Sequence, residues 1–64
     1  MIEVEYFYFK NSTQSWEKAY AYFSNVNSAV RFMYKCLHSK NMRYDGTFSC
    51  DNAYETEQIV RKFR

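Results

Sequence analysis

Polar and apolar residues alternate from the start of the chain. In IEVEYFYFK, residues 2–10, a two-residue period places Ile2, Val4, Tyr6 and Tyr8 on one side and Glu3, Glu5, Phe7 and Phe9 on the other. Branched and aromatic side chains dominate, which predicts a β-strand. One side reads as core; the other mixes two carboxylates with two phenyl rings. Residues 11–15, NSTQS, have the composition of a turn.

The next stretch, WEKAYAYF at 16–23, fits two periods. A helix capped by Ser15 would align Trp16, Ala19, Tyr20 and Phe23. A strand sets Trp16, Lys18, Tyr20 and Tyr22 against Glu17, Ala19, Ala21 and Phe23. The strand is preferred, because Asn25-Val26-Asn27-Ser28 reads as a fresh helix start. A helix running through Phe23 would have to stop and restart within three residues. A second strand also supplies the antiparallel partner that the first one needs.

Residues 28–40 predict a helix capped by Asn27. Its apolar stripe is Ala29, Val30, Met33, Cys36 and Leu37, with Phe32 at the edge. Residues 42–50 alternate again: Met42, Tyr44, Phe48 and Cys50 against Arg43, Asp45, Thr47 and Ser49, with a bulge at Gly46. Residues 52–64 predict a second helix. Asn52 and Glu55 form a capping box, Ala53, Ile59, Val60 and Phe63 the stripe, and Glu57 with Arg61 an i,i+4 ion pair.

The element order is then β-β-α-β-α, a single α+β domain over residues 1–64 in two layers. A three-stranded sheet with the most apolar strand in the middle carries both helices on one face. The opposite face is left bare. It is expected to display Phe7, Phe9 and Phe23, with Glu3 and Glu5 beside them, and an uncovered aromatic face marks a contact site.

Composition sharpens this expectation. Seven Tyr, six Phe and one Trp among 64 residues are more rings than a core of this size readily hides. The plainer account makes most of them core and rim. A chain this short buries only about 60% of its unfolded surface, so stability is thin. A symmetric homodimer, the commonest oligomer, would add to it.

Charge points less clearly. The formal net charge is +2. Arg31, Lys35, Lys40 and Arg43 form a run without acids, Arg31, Lys35 and His38 share a helix flank, and Arg61, Lys62 and Arg64 follow near the end. Basic residues beside exposed rings make nucleic-acid binding a second reading. Against it, Glu3 and Glu5 lie on the aromatic face, and basic residues suit helix ends for dipole reasons alone. Asp45, Asp51, Glu55 and Glu57 follow the basic run, and such a dipolar surface favours protein contact.

No catalytic, metal or cofactor site is expected. Cys36 and His38, two apart on a helix, point to different faces, and one glycine cannot build a phosphate loop. The segment MIEVEY carries acid where a signal peptide carries base, and no apolar run approaches membrane length. A cytoplasmic chain with two reduced thiols and no membrane contact is expected. The reading is a non-enzymatic accessory or protein-interaction module that self-associates through the aromatic sheet face or docks another protein. The alternatives are a small nucleic-acid-binding protein and a structural domain without activity of its own.

Overall fold

The computed structural model describes residues 1–63. Strand β1 (Ile2–Lys10) leads through a four-residue loop into β2 (Ser15–Phe23), so the ambiguous stretch is pleated. Gln14 closes the loop with a left-handed backbone, φ 55°. Helix α1 (Val26–Leu37), strand β3 (Met42–Ser49) and helix α2 (Ala53–Lys62) complete the predicted β-β-α-β-α order. The sheet order is β2-β1-β3, with β1 central and antiparallel to both neighbours. Both helices pack against one side.

The core lies under the first half of β1. Ile2 and Val4 are buried together with Ala29, Val30 and Met33 of α1 and Ile59 of α2. Tyr6, one step further along the same side, is half-buried and meets the Phe32 ring edge-on at 4.9 Å. Phe32 also packs on Phe23 at 5.3 Å. On the other flank Phe63 lies between Tyr34 (4.9 Å) and Tyr44 (5.3 Å). Tyr34 ties the helices together by donating to the Lys62 carbonyl at 3.0 Å.

Three local expectations need correction. Helix α1 is capped by Asn25, whose Oδ1 accepts the Ser28 N–H at 2.9 Å; Asn27 lies inside the helix and accepts from Lys62 Nζ at 2.8 Å. Starting earlier adds a turn that packs Val26 on the core. Leu37 and Val60, assigned to the apolar stripes, are 57% and 53% exposed, and Ala53 is exposed as well. A core this small does not span the full length of either stripe, so their ends face water. The α2 start follows expectation: Asn52 Oδ1 accepts the Glu55 N–H at 2.8 Å, and Glu57 pairs with Arg61 at 2.6 Å.

The β3 irregularity falls where Gly46 implied. Val4 faces Phe48 and Tyr6 faces Tyr44, so Asp45, Gly46 and Thr47 together stand opposite Glu5. Gly46 has φ 92°, a conformation that side chains resist. The Thr47 N–H donates to Asp45 Oδ1 at 2.9 Å and holds the bulge in shape.

The packing separates two methylene-rich side chains on one helix. Met33→Ala should lower unfolding free energy by about 3 kcal/mol, a large part of a small domain's margin. Leu37→Ala, at the exposed end of the same stripe, should change it by less than about 0.5 kcal/mol. Urea unfolding followed by circular dichroism checks both; equal losses would contradict this core.

Candidate functional site

Which rings reach the bare face depends on strand register. Lys10 faces Ser15, so Glu3 faces Tyr22, Glu5 faces Tyr20, Phe7 faces Lys18 and Phe9 faces Trp16. On the other side of β1, Glu3 faces Ser49 and Phe7 faces Arg43. The face away from the helices therefore carries Glu3, Glu5, Phe7 and Phe9 from β1, Tyr22, Tyr20, Lys18 and Trp16 from β2, and Ser49 and Arg43 from β3.

Phe23 is not among them. It faces Ile2 in the register and packs on Phe32 on the helix side. The expected turn over residues 11–15 would set Lys10 opposite Trp16 and Glu3 opposite Phe23, which places Phe23 on the bare face. The actual loop is one residue shorter, and a one-residue slip moves every side chain of a strand to the other face. The correction brings Trp16, Lys18, Tyr20 and Tyr22 into the site. The loop's length was the signal that would have placed them.

The face is ordered along the strands. One end carries Glu3, Glu5, Tyr20 and Tyr22, and the two tyrosines are 51% and 57% exposed. Glu3 hydrogen-bonds the Tyr22 hydroxyl, which pushes the phenol's pKa up. The middle is an ion-pair cluster. Lys18 Nζ lies 2.8 Å from Glu5 Oε1 and 3.3 Å from Asp45 Oδ2, which stands next to Glu5 at the start of the β3 bulge. The two carboxylates are 19% and 11% exposed, which strengthens the pairing relative to open water.

Rings and cations occupy the far end. Phe9 and Trp16 meet edge-on at 5.4 Å. The Arg43 guanidinium lies 4.3 Å from the centre of the Trp16 ring, and Lys18 Nζ lies 5.9 Å from that of Phe7. Phe7 and Phe9 are consequently half-buried among their neighbours. The face holds aromatic surface, but cations and carboxylates cover much of it.

The basic residues do not gather. Arg43 lies on the bare sheet face, whereas Arg31 and Lys35 on α1 and His38 at its C-cap are exposed on the opposite side of the sheet. Lys40 is exposed in the loop before β3. Arg61 pairs with Glu57 and Lys62 with Asn27. Arg64 lies outside the described residues.

Cys36 is buried, which pushes its thiol pKa up, and Cys50 is half-buried against the core; both thiols are free. Among the described residues no three His, Cys, Asp or Glu side chains gather to hold a metal ion. No described helix is long and apolar enough to cross a membrane. The chain matches no family model, no curated protein and no solved structure.

The central cluster has a defined pH signature. Lys18 has its pKa raised by hydrogen bonds to Glu5 and Asp45. Burial acts to raise the Asp45 pKa, but the hydrogen bond from Thr47 and the ion pair with Lys18 outweigh it, leaving a net lowering. A lowered carboxylate contributes stability at neutral pH that is lost as pH falls through its native value. The raised lysine contributes below its ordinary value, and that contribution is lost as pH rises through its native one. Lys18→Met should therefore raise the Asp45 pKa toward the usual carboxylate range and flatten the acid limb of the stability profile. Carbon-detected carboxyl titration by NMR tests this; an unmoved Asp45 would mean that Lys18 does not hold it.

Proposed function

We propose that this domain is a non-enzymatic protein-interaction module, and that its bare sheet face docks a second copy of the same chain. One observation carries the reading: charge is ordered along the strands. Glu3 and the tyrosines lie at one end, Arg43, Phe9 and Trp16 at the other, and Lys18 sits between them, paired with Glu5 and Asp45. Two such faces can stack about a two-fold axis running across the strands, level with Tyr6. The Lys18–Arg43 row of each copy then lies over the Glu5 row of the other, and Trp16 lies over Tyr22. An axis along the strands would instead set acid over acid. Charge thus selects one isologous arrangement and opposes the alternative.

The same cations support a weaker second reading. Arg43 over Trp16 and Lys18 beside Phe7 interleave positive charge with rings, as platforms for single-stranded nucleic acid do. Glu5 and Asp45 already neutralise Lys18, and the remaining basic residues are scattered, so a polyanion finds little continuous positive surface.

Light scattering on the purified chain tests the proposal. The expected mass is at least twice the 7.8 kDa of one chain. Phe7→Glu and Phe9→Glu should each lower it by placing a further carboxylate within the face, beside Glu3, Glu5 and Asp45. A wild-type monomer at high micromolar concentration overturns the proposal. Retention of the wild-type mass by both variants shows that the face is not the contact. Oligonucleotide binding that weakens steeply with salt would favour the second reading.

A further inference from the structure

The sheet has two outer edges, and they differ. The β3 edge is interrupted by the Asp45-Gly46-Thr47 bulge, a device that discourages pairing with another strand. The β2 edge has no such interruption. All nine of its residues pair with β1 in unbroken register, and the sequence contains no proline. Its outward main-chain groups form an uninterrupted row about 30 Å long. The bare face is small: three strands of that length present a flat footprint of roughly 450 Å².

We infer that β2 pairs edge to edge with β2 of a second copy, antiparallel and centred on Ala19, making one six-stranded sheet. Strand parity and charge select this register. A two-fold axis normal to the sheet keeps both bare faces on one side and restricts the centre to a single residue. Centring on Glu17 or Lys18 sets like charges directly opposite, which is unfavourable. Ala19 is the midpoint of Ser15–Phe23, so only this centre overlaps the full strands. It sets Trp16 opposite Tyr22, Lys18 opposite Tyr20, Glu17 opposite Ala21 and Ser15 opposite Phe23. The side chain at the axis is a methyl group, so it crowds neither copy. The two Lys18 side chains become diagonal neighbours, but Glu5 and Asp45 already neutralise each of them.

This contact goes beyond the face contact and is compatible with it. The edge axis is normal to the sheet at Ala19; the face axis runs across the strands level with Tyr6, which pairs with Ala19. The two are perpendicular and meet, so both contacts together close a tetramer with three two-fold axes.

Ala21 and Glu17 allow the edge to be tested apart from the face, since both lie on the helix side of β2. Within one chain they are four residues apart, about 14 Å along the strand, too far to pair. Ala21→Glu sets a carboxylate opposite Glu17 of the other copy, twice per dimer, and should weaken edge association roughly tenfold. Adding Glu17→Lys turns both pairs attractive and should restore it. Thermal melts by circular dichroism confirm that each variant is folded, and rescue by a second charge reversal cannot come from repairing the monomer. Light scattering should show a wild-type tetramer, dimers for Ala21→Glu and for Phe7→Glu, a monomer for the two combined, and a tetramer for the rescued pair. A wild-type dimer that Phe7→Glu dissolves and Ala21→Glu does not overturns the edge contact and leaves the face contact standing. The reverse pattern supports the edge and overturns the face. Equal mass for Ala21→Glu and its rescued form, or a wild-type monomer, overturns the edge contact.

Discussion

The pairing of β1 with β2, anchored where Lys10 faces Ser15, governs the character of both sides of this sheet. Side chains in a strand alternate, so pairing in one register sorts every ring of both strands at once. In the observed register Phe23 joins Ile2 and Phe32 in the packed layer, while Trp16, Tyr20 and Tyr22 line the bare side with Phe7 and Phe9. A loop longer by one residue would turn Trp16 and Lys18 to the helix side and expose Phe23. The four-residue loop, closed by Gln14 in a left-handed conformation, thus has consequences well beyond its own size.

The bulge in β3 acts on the same face from the other edge. Strand alternation sets Asp45 on the bare face next to Glu5, and the bulge that follows it places Gly46 and Thr47 opposite the same residue; the Asp45 carboxylate gives Lys18 a second acidic partner. Lys18 becomes a link across all three strands, joining β2 to Glu5 of β1 and to Asp45 of β3. Its charge is thereby compensated, and the aromatic rings around it lie among fixed ions. This is why the face is not simply greasy despite five aromatic side chains. Its attraction for a partner rests on the order of charges along the strands as much as on apolar area, and such order distinguishes one docking orientation from another.

Chain length explains the rest of the arrangement. Strands of nine residues run about 30 Å, whereas a twelve-residue helix covers about 18 Å. The helices therefore bury Ile2 and Val4 fully and leave Tyr6 and Tyr8 half-covered. The surplus rings meet one another at the rim, as Tyr34, Tyr44 and Phe63 do beside α2. Tyrosines suit that rim because the ring buries a large apolar body while its hydroxyl reaches water or, as in Tyr34, a backbone carbonyl.

Local patterns in the sequence determined the elements. The two-residue periods of β1 and β3, the capping pair Asn52 and Glu55, and the break in alternation at Gly46 each depend on neighbours a few positions away, and each appears in the fold. The central place of β1 followed from its being the most apolar strand. The capping rule alone places the start of α1 two residues late, because Asn25 and Asn27 satisfy it equally and only the packing of Val26 on the core separates them. The ends of the helical stripes were misjudged because periodicity marks a face and not how far the core extends along it. The composition of the bare face was decided by tertiary structure alone. Strand register joins residues far apart in the chain, as it does Glu3 with both Tyr22 and Ser49, and Lys18 meets Asp45 only because both neighbours of β1 fold onto it.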